Sequence, residues 1–150
     1  PAFDVAAFSA FLRTGVEAEA AGLASERASP TQVKKIADRF DAIQAAIDRG
    51  ENGVDEDFAF HCAIAEATAN PQFNRFLEYL GRFIIPRRTI WKDTQPAARR
   101  LQLDIFQKEH AQILQAIRQG SVAQARMAMQ RHLLNSRARY EKLAAENGIQ

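Results

Sequence analysis

The residues of this sequence that combine reactive types with regular spacing are one aspartate and three histidines. Asp57 and His61 lie four residues apart in the stretch "DEDFAFHCAI" (residues 55–64), and helical neighbours at this spacing share a face. His110 and His132 also occupy positions where helical periodicity calls for an apolar side chain. Burying a carboxylate or an imidazole costs free energy unless the group is paired. Four such groups on three helices therefore indicate one shared partner.

A divalent metal ion would be a suitable partner for these four groups. Three imidazoles and one carboxylate suit zinc or nickel, and also manganese, iron or cobalt, and they leave one or two coordination positions open on a five- or six-coordinate ion. Cys62 is not expected to be a ligand. Adjacent residues of a helix point about 100° apart, so that Cys62 faces away from the direction His61 takes.

Two other interpretations stay open from the residues alone. In the first, the protein is a metal-free structural or protein-interaction bundle, each histidine is satisfied by a backbone carbonyl or a water, and Asp57 pairs with one of them. In the second, the protein is a small metal-dependent hydrolase-like enzyme in which the metal activates water. The sequence offers no obvious general base for that reaction, although Glu66 or Glu109 could approach the site in three dimensions.

Helix-start and helix-stop signals predict the elements that must position these residues. Ser29 and Ser121 are each followed three residues later by Gln, as in a capping box, and Asn70 is expected to cap a helix that starts on Pro71. Apolar residues recur at three- and four-residue intervals, and no strand-length segment alternates with period two. The sequence predicts an all-α fold, an antiparallel bundle of about six helices.

The third predicted helix carries Asp57 and His61. It is expected to run from about Val54 to Ala69, and its apolar stripe is expected to contain Val54, Phe58, Cys62 and Ala65. Pro86 is expected to end or kink the fourth helix, because proline lacks an amide donor and crowds the preceding turn.

Length and composition predict one domain, in which 47% hydrophobic residues supply a core for 150 residues. A single cysteine excludes a disulfide scaffold and, with neither a signal peptide nor a membrane span in evidence, predicts a cytoplasmic protein. The net charge of +2 is too balanced to indicate nucleic-acid binding. A local basic excess could face an anion, a membrane or water; it consists of Arg82, Arg87, Arg88, Lys92, Arg99 and Arg100.

Two longer stretches resemble the ligand-sensing C-terminal domain of the FadR subfamily of GntR-type transcription regulators. They are "DEDFAFHCAIAEATANPQF" and "KEHAQILQAIRQGSVAQARMAMQRHLL", and "FLRTGVEAEAAGLASERAS" adds a weaker match. The resemblance implies a bundle of six or seven antiparallel helices whose interior pocket binds a small organic acid. It also implies a divalent metal held by one Asp and three His, which fall on Asp57, His61, His110 and His132.

The resemblance further suggests which residues would contact the acid. Arg13 stands where the family often has an Arg-x-x-Leu-Glu pattern, and its guanidinium would match a carboxylate; the alternative is an exposed pair with Glu17. The other candidates for effector binding are Asn135, Ser136, Arg82, Arg87 and Arg88. Gly120 is followed by Ser121 where the family often has Asp, and serine caps a helix about as well.

Regulators of this kind act as homodimers and read DNA through a winged helix-turn-helix domain that precedes the sensing domain. Residues 1–150 contain no such domain, and the chain starts with "PAFDV" rather than methionine. We therefore expect this chain to reach DNA only through an N-terminal domain not present here.

Overall fold

The computed structural model describes residues 5–80 and 87–148, and within these ranges it consists of α-helices without any strand. The predicted all-α fold is confirmed, with seven helices in the described ranges rather than about six. They are α1 (Val5–Arg27), α2 (Pro30–Asp48), α3 (Val54–Glu66), α4 (Pro71–Leu80), α5 (Arg87–Asp93), α6 (Pro96–Arg118) and α7 (Val122–Glu146). None of the described helices is long and apolar enough to cross a membrane.

The core lies where α1, α2, α3, α6 and α7 meet. Helix α7 packs against α1 and α6, while α2 packs against α3 and α6, and α1 also contacts α3. The large apolar side chains that are almost completely buried there include Ile36, Ile47, Phe60, Ile64, Ile113 and Met129. The helices that carry the three histidines therefore converge on the same interior region.

The predicted stripe of α3 was wrong for most of its residues, since only Ala65 of the four is completely buried. Phe58 is only half-buried, whereas Phe60 is completely buried and its ring centroid lies 6.4 Å from that of Phe40 in α2. Helix α3 packs against α2, α4 and α1, so its buried surface is wider than a single stripe. The helix also ends at Glu66 rather than Ala69.

The additional helix is α5, in a stretch whose residue pattern predicts no clear element. Its seven residues are too few for helical periodicity to be recognised. Ile90 and Trp91 are completely buried and attach this short helix to the core, and Nε1 of Trp91 donates a hydrogen bond to the hydroxyl of Tyr140 in α7 at 3.2 Å. Pro86, expected to end or kink the preceding helix, lies outside the described residues.

Two of the three predicted helix caps are present. The hydroxyl of Ser29 accepts a hydrogen bond from the Gln32 amide at 3.1 Å, and the Gln32 side chain accepts one from the Ser29 amide at 2.9 Å, which completes the capping box. Oδ1 of Asn70 accepts from the Gln72 amide at 3.0 Å. The predicted box at Ser121 was wrong, because its side chain makes no cap hydrogen bond.

The turn before α7 explains why Ser121 does not cap. Gly120 has a φ of +66°, which glycine adopts without steric cost, and the amides of Gly120 and Ser121 donate to carbonyls of α6. These backbone bonds leave Ser121 with a ψ of 97°, whereas the capping Ser29 has a ψ of 162°. Backbone geometry, not the side chain, therefore sets the start of α7.

The difference between the two serines leads to a stability prediction. Ser29→Ala is expected to lower the free energy of unfolding by about 1 kcal/mol, because it removes an acceptor from the first turn of α2. Ser121→Ala, the matched control, is expected to change it by less than about 0.5 kcal/mol. Urea unfolding followed by circular dichroism measures both values, and equal losses would contradict the assignment of the caps.

Part of the predicted basic excess has a structural role. Arg99 donates from Nη2 to the carbonyl of Gly50 at 3.0 Å, and Arg100 donates from Nη2 to Asp48 at 3.0 Å and pairs through Nε with Asp104 at 3.1 Å. These two arginines hold the end of α2 against α6. Arg82 lies outside the described residues, and the side chains of Arg87 and Arg88 are outside them as well.

Candidate metal centre

Three imidazoles meet in the interior of the bundle, one each from α3, α6 and α7. His61, His110 and His132 are 1%, 0% and 2% exposed. Each histidine offers one ring nitrogen to the cluster, and these three nitrogens all lie within 4.8 Å of one another. The ring centroids of His110 and His132 are 4.5 Å apart, and that of His61 is 5.6 and 5.5 Å from them. The predicted convergence of the three histidines is present.

Asp57 faces two of these rings. Its Oδ1 lies 3.3 Å from Nε2 of His61, and its Oδ2 lies 3.5 Å from Nε2 of His110. The four-residue spacing within α3 brings Asp57 and His61 to the same face, as expected. The carboxylate thus lies beside the imidazole cluster and presents a different oxygen to each of two rings.

In each imidazole, the Nδ1 atom contacts a side-chain oxygen of a glutamate or glutamine. Nδ1 of His61 lies 2.5 Å from Oε1 of Glu17, Nδ1 of His110 lies 3.1 Å from Oε1 of Gln107, and Nδ1 of His132 lies 2.9 Å from Oε1 of Glu109. Metal-ligating histidines usually have this arrangement, since an outer acceptor on one nitrogen fixes the lone pair of the other toward the metal.

The amide of Gln107 determines which nitrogen of His110 carries the proton. Nε2 of Gln107 donates to the carbonyl of Phe40 at 3.0 Å, so its Oε1 is the atom that faces the imidazole and accepts from Nδ1–H. In the neutral ring Nε2 is then an acceptor, and it faces the carboxylate of Asp57. A cation, or a proton on one of the two groups, makes that approach favourable.

Two of the histidines end a chain of charged side chains. Arg13 donates to Glu17, which contacts His61, and Arg139 donates to Glu109, which contacts His132. The guanidinium of Arg139 lies over the ring of Phe106, with its Cζ 4.5 Å from the ring centroid. The carboxylates that back the imidazoles are thus each compensated by an arginine on the side away from the cluster.

These contacts set the charge of the groups around His61. Burial raises the pKa of Glu17, but Arg13 and His61 outweigh it and lower that pKa to about 2. Burial likewise disfavours the charged form of His61, yet Glu17 and Asp57 raise its pKa to about 9. Burial holds the pKa of His132 below its ordinary value. At neutral pH the metal-free chain therefore holds a protonated His61 between two carboxylates and a neutral His132.

The cluster has the donor chemistry that a divalent transition metal requires. Three nitrogen donors and one adjacent carboxylate suit zinc, nickel or a related ion. Nε2 of His61 is buried, and the carboxylate of Asp57 faces it at 3.3 Å without a hydrogen bond of normal geometry. A metal ion bound there would replace the proton on this nitrogen. The residues present therefore fit such an ion.

Cys62 lies outside the histidine cluster. Among the described residues the group able to hold a metal consists of the three histidines; Asp57 lies beside this group, and the partly buried thiol of Cys62 is not in it. Burial raises the pKa of this thiol to about 12, so at neutral pH it is not the thiolate that binds metals.

The candidate effector residues differ in how deeply they are buried near the cluster. Arg13 is buried rather than exposed, and it pairs with Glu17 as the four-residue spacing allows. Burial lowers the pKa of Arg13, but Glu17 and the charge of Asp57 raise it overall. Ser136 is buried one turn beyond His132.

Asn135 contacts the carboxylate that lies behind His132. Its side chain is exposed and donates from Nδ2 to Oε2 of Glu109 at 2.9 Å, so it supports the carboxylate that holds His132. Of the two acids considered for a general base, Glu109 does approach the cluster, whereas Glu66 pairs with Lys35 at the surface at 2.5 Å. Glu109, however, is already engaged by His132, Asn135 and Arg139.

Sequence reasoning missed the residues that hold the rings. Glu17 was considered only as an exposed partner of Arg13, and neither Gln107 nor Arg139 was identified. A signal for Glu17 existed, because it shares a helical face with small residues that are completely buried, namely Ala20, Ala21 and Ala24. Gln107 precedes His110 by three residues, which is also a shared-face spacing.

The chain is similar to known proteins both in sequence and in structure. The FCD domain family model matches residues 9–135. The HTH-type transcriptional regulator LutR of Bacillus subtilis (strain 168) is 27% identical over 124 residues, which are 83% of this chain and 57% of LutR. The structure of E. coli McbR/YncC superposes with a TM-score of 0.80 at 17% identity, covering 91% of this chain and 64% of that one. The chain thus spans about three fifths of these relatives.

Proposed function

Because the chain belongs to the FCD domain family, we propose that it is an effector-sensing domain that holds a divalent metal on Asp57, His61, His110 and His132 and binds a small organic acid there. FCD domains are ligand-sensing regulatory domains of transcription regulators and not enzymes. The observation that carries the proposal is the convergence of three buried imidazoles, each tied back through Nδ1.

Zinc and nickel are the metals we favour, and manganese, iron and cobalt have compatible ligand preferences. A bound ion would supply positive charge and open coordination positions for an oxygen ligand. The chain's own residues then do the remaining work. The imidazoles stay oriented because their Nδ1 atoms are engaged, and burial of the cluster excludes bulk water, which strengthens electrostatic interactions inside it.

Arg13 is the residue that we propose for the effector carboxylate. It is buried, the charge of Asp57 helps to raise its pKa, and its hydrogen bond to Glu17 uses one of the five N–H donors of the guanidinium. Further proposed contacts are Ser136, Asn135, Arg82, Arg87 and Arg88. A rigid guanidinium suits a carboxylate better than an ammonium does, because it can donate two parallel hydrogen bonds.

The output of the domain would be a change in DNA binding by an attached domain. An acid that prefers one arrangement of the bundle shifts the population toward it, and a covalently linked domain responds to that shift. We propose that the full regulator is a cytoplasmic homodimer whose DNA contact comes from an N-terminal domain. LutR, described as an HTH-type transcriptional regulator, is consistent with this arrangement.

A thermal-shift screen of metal-loaded protein against small carboxylic acids tests the proposal. At least one acid is expected to raise the melting temperature, and Arg13→Ala is expected to weaken its binding by roughly tenfold or more, as for the loss of a charged hydrogen bond. Arg126→Ala is the matched control, because Arg126 pairs with Glu19 on the exposed side of α1.

Metal content is measured in every variant of this screen. An Arg13→Ala protein that keeps its metal and shows the full gain in melting temperature would remove Arg13 from the effector site. If no acid shifts the melting temperature of the wild-type protein, the organic-acid part of the proposal is contradicted.

A further inference from the structure

The first helix supplies none of the four proposed ligands, yet one of its side chains reaches the cluster. Glu17 of α1 is 1% exposed, and its Oε1 lies 2.5 Å from Nδ1 of His61 in α3. The buried residues that follow it on that helix face, Ala20, Ala21 and Ala24, are small, and Glu17 spans the gap between α1 and α3. A buried carboxylate in this place calls for an explanation, because its burial is costly.

A simple ion pair between Arg13 and Glu17 does not explain the contacts of the two carboxylate oxygens. Arginine and carboxylate groups often pair through two parallel hydrogen bonds that engage both oxygens. Here the oxygens are divided, since Oε2 accepts from Nε of Arg13 and Oε1 contacts Nδ1 of His61. The guanidinium thus holds one oxygen while the other holds the imidazole.

We propose that Glu17 is a positioning residue of the metal centre, which fixes the ring of His61 so that Nε2 faces the cluster, and that Arg13 sets the orientation of Glu17. This inference rests on the proposed function for the metal but not on the organic acid. It makes α1 part of the metal centre, although α1 contributes no ligand. Removing an outer acceptor of this kind commonly weakens metal binding by about 10- to 100-fold.

The other two histidines offer an internal comparison. His110 is held by Gln107, whose amide keeps its oxygen toward the ring because its nitrogen donates to the Phe40 carbonyl. An amide can therefore orient an imidazole in this protein when its nitrogen has an acceptor. At position 17 an amide would instead turn its oxygen toward the Arg13 guanidinium, which has only donors. Its NH₂ group would then face Nδ1 of His61. Glu17→Gln is thus expected to disrupt the contact unless Arg13 is also changed.

The test uses zinc alone and a chromophoric chelator that competes for it. Glu17→Gln is expected to weaken zinc binding about tenfold, and the Arg13→Met/Glu17→Gln double variant is expected to recover most of that loss, because the amide oxygen can then face His61. Glu19→Gln is the control, since Glu19 lies on the same helix in an exposed pair with Arg126. A merely structural role of Glu17 would make the double variant worse than the single one.

A second measurement does not need the metal. In the metal-free wild type and in Glu19→Gln, the Nδ1 proton of His61 is expected to give a resolved NMR resonance protected from solvent exchange, and Glu17→Gln is expected to lose that protection. Equal zinc affinity of the wild type and Glu17→Gln would overturn the inference and leave the proposed metal centre standing. If the wild type binds no zinc or nickel, the metal part of the proposed function fails, and the proton resonance alone then decides whether Glu17 holds His61.

Discussion

Protein purified without a histidine tag is expected to contain close to one divalent transition metal per chain, and the His110→Ala/His132→Ala double variant is expected to contain almost none. The double change removes two of three nitrogen donors whose ring nitrogens lie within 4.8 Å of one another. One imidazole and one carboxylate, His61 and Asp57, then remain, and such a pair seldom retains an ion through purification. Elemental analysis by mass spectrometry measures the metal content directly.

Metal removal is expected to lower the stability of the wild-type chain. An ion that binds only the folded state stabilises it by about 2.7 kcal/mol at a free concentration one hundred times its dissociation constant. Adding zinc or nickel to stripped wild-type protein should therefore raise the melting temperature, and adding it to the double variant should not. Cys62→Ala is the control that keeps its metal, because the thiol lies outside the cluster. An unchanged melting temperature of the stripped wild type would contradict the metal centre.

The four candidate ligands could be predicted because their signals are local. His61, His110 and His132 each lie on or beside the apolar stripe of a predicted helix, and Asp57 precedes His61 by one helical turn. The helices themselves were recognisable from caps such as Ser29 and from the spacing of their apolar residues. These signals need only the geometry of a single helix.

The groups that hold the ligands could not be predicted in the same way. The contact between Glu17 and His61 joins residues 44 positions apart, and that between Glu109 and His132 joins residues 23 apart. Such pairs depend on how α1, α3, α6 and α7 pack, which periodicity does not encode. A single sequence therefore indicates which residues would bind a metal and leaves open which residues orient them.

Helix α5 shows a second limit of the sequence. Seven residues give no periodicity, and the helix forms because Ile90 and Trp91 are buried against other elements. The Trp91 ring centroid lies 6.1 Å from that of Phe106 and 5.5 Å from that of Tyr140. Phe106 in turn lies 6.2 Å from the His132 ring. The aromatic cluster that fixes α5 is thus continuous with one wall of the candidate metal centre.

Trp91→Ala is expected to lower the free energy of unfolding by about 3–5 kcal/mol, as for other completely buried large aromatic side chains. The substitution leaves a cavity beside Phe106 and removes the donor of the hydrogen bond to Tyr140. Urea unfolding followed by far-UV circular dichroism measures the loss, since Trp91 is the only tryptophan and its fluorescence disappears with it.

Two control variants separate packing from hydrogen bonding at Trp91. Tyr140→Phe keeps the ring and removes the acceptor, so it is expected to cost about 1–3 kcal/mol, the penalty for leaving the buried Nε1–H of Trp91 without that partner. Leu101→Ala removes an apolar side chain that is 61% exposed and is expected to stay within about 0.5 kcal/mol of the wild type. If Trp91→Ala cost no more than Leu101→Ala, α5 would not be held by its buried face. The wall beside His132 would then owe its rigidity to α6 and α7 alone.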